Sequence, residues 1–234
     1  MNNIWDKIEK KIKLYRTIYY LSKFEKRTIY NAFKIGLLWD FLNPLIQIMI
    51  YYFVFNIRLG SERFLNDNIP YIFWLIGGLI PWLFINGTIV QGSKSMLQKV
   101  GLATRVGFPS KVLPMITLHT NFSRFLLMLL IFTGLLIVNH VPLTFHILQL
   151  FYYIPFMIFF LYSLTLLLSI LTIIFRDMTN IISSMMKIVF YMSGITVVID
   201  RAQNGLLDQI LMLNPINYFN RRDTLFIFIH SFIL

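Results

Sequence analysis

Five stretches of this chain are too long and too apolar to be dissolved in water: residues 37–57, 71–90, 112–138, 147–175 and 181–199. Each reaches the roughly 20 residues an α-helix needs to cross the hydrocarbon core of a bilayer. Charge is nearly absent inside them and gathers between them. In hydrocarbon every backbone polar group must be satisfied within the segment, so helices follow directly from the apolar runs. The expectation is an all-α, polytopic membrane protein. The composition agrees: 57% of the 234 residues are hydrophobic and 13% are charged, about half the usual charged share.

The net charge of +11 would suit a nucleic-acid ligand if it were clustered on one soluble face. It is placed differently. Lys7, Lys10, Lys11, Lys13, Arg16, Lys23, Lys26, Arg27 and Lys34 precede the first span. Lys94, Lys99, Arg105 and Lys111 lie between the second and third, and Arg176 and Lys187 flank the turn between the fourth and fifth. In the alternate loops Arg58 and Arg63 are offset by Glu62 and Asp67, and 139–146 carries only histidines. This is the positive-inside pattern. It predicts a multi-pass protein of the cell membrane with a cytoplasmic N-terminus, residues 200–223 outside, and no nucleic acid as partner. Residues 1–30 are too charged for a cleavable signal peptide.

Residues 1–36 form a region of their own ahead of a transmembrane domain over 37–234. Trp5, Ile8, Ile12, Tyr15 and Tyr19 recur at spacings of three and four, with basic residues on the other faces. That pattern predicts an amphipathic helix in the membrane interface; packing against a soluble partner is the alternative. In the first span Asp40 and Asn43 are expected to face protein, and Pro44 to kink the helix. Gly77, Gly78 and Pro81 mark a bend or close approach in the second. Residues 92–109 predict a separate short helix and turn, broken by Gly101 or Gly107. Arg124 falls inside the third span, where a charge is costly unless it snorkels, pairs or faces a wet cavity; Asn121 and Ser123 are positioned to solvate it. Pro155 is expected to kink the fourth span. Outside, Leu206, Leu207, Ile210, Leu211 and Leu213 give 200–223 an apolar helical face. Residues 224–234 read as the start of a sixth span, cut short.

The chain has no cysteine, hence no disulfide or thiolate site. No phosphate-binding GxxxxGK[ST] loop, HExxH pair or catalytic triad can be assembled from its motifs, and its four histidines are scattered. No catalytic residue, metal ligand or cofactor of its own is expected.

The stretch 34–60, KIGLLWDFLNPLIQIMIYYFVFNIRLG, resembles the start of the membrane subunit of ABC-2 polysaccharide exporters, nearest their teichoic acid translocation permeases. The resemblance continues through 69–95, IPYIFWLIGGLIPWLFINGTIVQGSKS, and 106–114, VGFPSKVLP. It returns at FRD, 175–177, and at LNPINYFNRRDTLF, 213–226. It implies the ABC-2 (type V) transmembrane domain, with an N-terminal interface helix and six spans. It also implies a transport subunit, not an enzyme, acting as a homodimer with two copies of an ABC ATP-binding subunit that hold the ATP and magnesium. The substrate class implied is an undecaprenyl-pyrophosphate-linked teichoic acid or related polysaccharide, with O-antigen and capsule as relatives' cargo.

By the same resemblance Ser93, Lys94, Met96, Leu97, Lys99, Val100 and Arg105 would couple to the ATPase, and Asn214, Pro215, Arg222 and Asp223 would belong to an external re-entrant region. The residues themselves add further candidates. Arg16, Lys26, Arg27 and Lys34 can receive a pyrophosphate headgroup, with anionic phospholipid as the alternative. Tyr51, Tyr52, Trp74, Trp82 and Arg124 can line a polymer path, the aromatics stacking on sugars, with ordinary packing as their alternative. A drug- or lipid-transporting ABC-2 permease and a non-transporting scaffold subunit remain competing readings.

Overall fold

The computed structural model describes residues 2–31, 36–59, 71–106, 110–139 and 150–192. Those residues fold into helices: α1 (Asn2–Asn31), α2 (Trp39–Leu59), α3 (Tyr71–Val106), α4 (Leu113–Val138), α5 (Leu150–Ile174) and α6 (Met178–Met192). Single 3-10 turns at Gly36–Leu38 and Ser110–Val112 lead into α2 and α4. Gly36 takes a positive φ of 49° there, a conformation that costs a side-chain-bearing residue about 1–2 kcal/mol. Pro114, in the first turn of α4, is where a missing N–H is harmless.

Among the described residues three helices are long and apolar enough to cross a membrane, over Leu75–Lys99, Ser110–Val138 and Phe151–Ile174, and α2 adds a shorter apolar stretch, Leu42–Val54. The chain is a multi-pass, all-helical membrane protein among the described residues. α3 is its axis. Residues 77–82 are buried on every side, because α4, α5, α6 and α2 all pack against α3. A helix apolar around its whole circumference is what such a central position requires. The outer helices are greasy on the outside too: Leu130 of α4 and Phe159 of α5 are both 70% exposed, as surfaces solvated by lipid should be.

The helix expected to end near Val90 does not. α3 continues without a break to Val106, through Gly101, so the separate short helix expected over 92–109 is absent. The reason is tertiary. Gly92, Ser93 and Ser95 look like a loop in sequence, but all three are buried, and Gly92 and Ser93 meet Thr165 and Thr172 of α5. A Cβ on Gly92 would stand 2.8 Å from Thr165 Cγ2, and the Thr172 hydroxyl lies 2.5 Å from the Ser93 carbonyl. The hydroxyls of Ser93, Ser95 and Thr165 turn back onto their own helices.

Helical assignment also runs through Pro44, Pro81 and Pro155. The FRD segment makes a tight junction between α5 and α6, closed by Met178 N–H to the Phe175 carbonyl at 3.1 Å and Ile181 N–H to the Asp177 carbonyl at 3.2 Å. Because α6 begins at Met178, Lys187 lies well inside that helix and is exposed, rather than at the turn. On α6, Ile182, Met186 and Phe190 recur every four residues and form its buried face.

α1 packs across the start of α4. Ile18 is 2% exposed, in a small second core with Met96, Val112, Leu113 and Ile116. Beside it the buried Ser22 hydroxyl meets His119 Nδ1 at 3.1 Å, and Tyr19 sets its ring edge-on to the same imidazole. Other described side chains of α1 are uncovered: Trp5, Ile12, Tyr15 and Phe24 are exposed together with Lys13, Arg16, Lys23 and Arg27. This is the surface expected of a helix in the headgroup layer.

Candidate functional site, an arginine and amide cavity inside the bundle

One face each of α2, α3 and α4 lines a half-open cavity of about 400 Å³, with Trp39, Asn43, Gln47 and Gln91 exposed at its rim. α2 contributes Trp39, Asn43, Pro44 and Gln47; α3 contributes Ile80, Leu83, Phe84, Asn86, Gly87 and Gln91; α4 contributes Asn121, Arg124, Phe125 and Met128. Spacings of three and four on every helix put these residues on common faces.

The polar residues share one level. On α3, residues 71–85 carry no amide or charged side chain before Asn86. On α4, the same holds for 125–138 after Arg124, and on α2 for 48–55 after Gln47. The α4 run measures about 21 Å at 1.5 Å per residue. The amide layer therefore sits in the half of a ~30 Å hydrocarbon core that is nearer to α1.

Arg124 is the one formal charge among the described residues of the lining. A guanidinium can only donate, so its contact at 3.4 Å from Nη1 fixes the Asn121 carbonyl oxygen toward it. The Asn121 amide nitrogen then donates across the helix pair to Gln91 Oε1 at 3.2 Å. Asn121 is 5% exposed, and its two bonds tie the arginine on α4 to α3. The amide nitrogen of Gln91 is left as a further donor at the cavity. Ser123, expected to assist, instead bonds the His119 carbonyl of its own helix at 2.9 Å. The opposite wall is aromatic, with Phe84 stacked on Phe125 at 4.9 Å. Gly87 keeps the α3 wall smooth: a Cβ there would touch Asn121 only at ordinary contact distance, 3.8 Å.

Chemically the site offers a permanent cation, several neutral donors and acceptors, and flat apolar walls. That set suits an oxyanion or a hydroxyl-rich group next to an apolar one.

Of the residues proposed from sequence, Arg124 lies in this cavity, and Tyr51, Tyr52 and Trp82 do not. Trp82 is 4% exposed, its ring packed on Phe190 at 5.2 Å, and Tyr51 meets the same Phe190 at 5.0 Å. Both belong to the core around α3 and α6. Tyr52 is exposed on α2. Among the coupling candidates, Ser93 and Met96 point into the packed interior, and Lys99 Nζ donates to Thr117 Oγ1 at 3.3 Å. Lys94 and Leu97 are half-buried. Arg16 lies over the Tyr20 ring on α1, 5.9 Å from its centroid, and Arg27 is exposed on the same helix. Lys26 is on α1 and Trp74, Val100 and Arg105 are on α3, with their side chains outside the described residues. Lys34, Asn214, Pro215, Arg222, Asp223 and the sixth span proposed over 224–234 lie outside the described residues altogether.

Asn86, Gln47 and Gln91 were not singled out by sequence. A lone amide on an apolar helix has no motif; only its level relative to amides on neighbouring helices marks it.

No family model matches the chain. It is 31% identical over 106 residues to the O-antigen export system permease protein RfbA of Myxococcus xanthus, a stretch that is 45% of this chain and 38% of that protein. The permease protein of the same name from Klebsiella pneumoniae is 31% identical over 87 residues, 37% of this chain and 31% of that protein. The matched stretches thus span well under half of these relatives' lengths. The likeness is to polysaccharide export permeases at the level of the family, and does not single out the teichoic acid branch suggested by 34–60.

Proposed function

We propose that this chain is the membrane permease subunit of an ATP-driven exporter, moving a lipid-linked polysaccharide out of the cell. The single observation that carries the reading is a charged, amide-lined cavity built into an apolar helical bundle, in a chain similar to O-antigen export permeases. An isolated arginine at membrane depth disfavours helix insertion by roughly 2.5–3.5 kcal/mol at the helix centre. Its placement beside amides from three helices favours a role in handling a polar cargo over one in packing alone.

A cavity of about 400 Å³ has the size of a small-molecule site and cannot hold a polymer. The route for a chain of sugars is therefore assigned to a space between two copies of the subunit, in a homodimer that binds two ATP-hydrolysing subunits. Within this reading the bundle completes six spans, the N-terminus is cytoplasmic, and the α1 end of α3, from Lys94 to Arg105, faces the ATPase. ATP and magnesium belong to that partner. Teichoic acid, O-antigen and capsule polymers are the candidate cargoes.

The test is transport. Full-length permease is reconstituted into vesicles with its ATP-binding subunit and a labelled lipid-linked polymer. Protection of the labelled polymer from an added glycosidase, dependent on ATP hydrolysis, is expected. ATP hydrolysis that is stimulated by short lipids or drugs and never by the polymer would sink the polysaccharide reading in favour of a lipid- or drug-transporting permease.

A further inference from the structure

We propose that Thr88 marks the point where α3 and α5 come apart: the seam at Gly92 and Ser93 opens, and water from the adjoining cavity then solvates the Thr88 hydroxyl. The inference goes beyond the transport reading and does not rest on it.

An orphaned hydroxyl is the first ground. Thr88 is fully buried, and no protein group among the described residues bonds its Oγ1. Every other buried serine or threonine among those residues donates its hydroxyl to a carbonyl of its own helix, from Ser22 on α1 to Thr172 on α5. A helical threonine reaches the carbonyl one turn back by rotating about a single bond. The packed state thus holds Thr88 away from the remedy that all its counterparts use. A hydroxyl buried without a partner disfavours this packing against any state that hydrates it.

Position is the second. Phe84, Gly87 and Gln91, which flank Thr88 along α3, line the cavity. One turn further on, Gly92 closes on Thr165. Thr88 therefore stands at the wall between a half-open, amide-lined space and a tight contact, where water is near on one side and shut out on the other.

The third ground is what the seam is made of. The hydroxyls of Ser93 and Thr165 are satisfied within α3 and α5 themselves. Parting breaks the bond from Thr172 to the Ser93 carbonyl, but the Thr172 hydroxyl keeps the Ser169 carbonyl at 2.9 Å. Gly92 has no side chain to leave uncovered. Such a seam closes dry and opens wet with little change in its own hydrogen bonding, while Thr88 gains a partner on opening.

The test uses the full chain in lipid vesicles. The chain has no cysteine, so Thr165→Cys places a lone thiol in the seam. Its rate of reaction with a charged, water-soluble methanethiosulfonate reports opening, and Leu136→Cys, buried in α4, sets the closed reference. Thr165→Cys is expected to react roughly ten times faster than Leu136→Cys, as a locally opening site does against a core one. Thr88→Val keeps the shape and removes the hydroxyl. Added to Thr165→Cys, it is expected to slow the reaction about tenfold, the order expected for one unmet buried hydroxyl. In the cysteine-free chain it is expected to raise the thermal midpoint by about 2–4 °C. Thr88→Ser retains the hydroxyl and is expected to keep the rate within about twofold.

A lowered midpoint in Thr88→Val would overturn the proposal, because the hydroxyl would already be bonded in the packed state. A raised midpoint with an unchanged rate at Thr165→Cys would do the same, since parting would then not involve Thr88. So would a Thr165→Cys thiol no faster than that of Leu136→Cys. If Thr165→Cys fails to fold, Ser93→Cys carries the thiol under the same expectations. Neither readout needs an ATPase or a polymer, so export can fail with the opening intact, and the opening can fail with export intact.

Discussion

α3 has two working sides, and they are built from different residues to opposite ends. Toward α5 it presents Gly92 and Ser93 to Thr165 and Thr172. Small side chains let the helices close until no room for even a methyl remains at Gly92. Toward α2 and α4 it presents Asn86, Gly87 and Gln91, and here the helices leave about 400 Å³ between them. Both sides are polar for a membrane protein. Hydroxyls that bond back to their own helix leave nothing unsatisfied and permit a seal. Amides and a guanidinium need partners beyond their own helix and hold a space open. Residue type, more than hydrophobicity, decides which side of one helix is a seam and which is a chamber.

Four substitutions break or sharpen that contrast, the largest effect first. Gly92→Leu drives a branched side chain into Thr165. It is expected to destabilise by about 3 kcal/mol, the upper end of the usual cost of overpacking, read as a lowered thermal midpoint in detergent. Adding Thr165→Ala should recover part of the loss, and strict additivity of the two changes would show that the seam is not closed there. Asn121→Leu removes the link between Arg124 and Gln91. Losing two part-buried hydrogen bonds is expected to cost about 1 kcal/mol, and the cysteine-free chain allows single thiols placed at the cavity mouth to report a change in its accessibility.

Ser22→Ala, at the mooring of α1, should cost about 1 kcal/mol and appear as faster proteolysis near α1 with an unchanged core. Protection equal to wild type would mean that Ile18 alone seats the helix. The smallest effect is expected from Gly87→Ala on the chamber side. Its Cβ meets only ordinary contacts, and the helix gains roughly 0.5–1 kcal/mol from losing a glycine. The same exchange at Gly92 should destabilise, so the sign difference between Gly87→Ala and Gly92→Ala is a direct measure of the two sides.

Much of this was legible from the sequence, for physical reasons that also mark where legibility stops. Bilayer thickness converts apolar length into a span, so α4 and α5 fall close to the bounds their hydropathy suggests. Arg124 and Asn43 stand out because a charge or amide in an apolar run needs an explanation. The extension of α3 beyond Val90 was hidden because Gly92–Ser95 has loop composition, and only the hydroxyl stripe of α5 makes a helix of it. Trp82 looked available as an aromatic surface; that it spends its ring on Phe190 depends on where α6 docks, which no local pattern states. Gln91 was silent for the same reason, since its partner is 30 positions away.

The mooring of α1 carries one more consequence. The Ser22 hydroxyl has a single hydrogen, and it is directed to the Tyr19 carbonyl at 2.8 Å. The contact to His119 at 3.1 Å falls on the same oxygen, so one small side chain of α1 serves its own backbone and the imidazole of α4 together, and the strap that fastens the basic helix to the bundle hangs from a single atom.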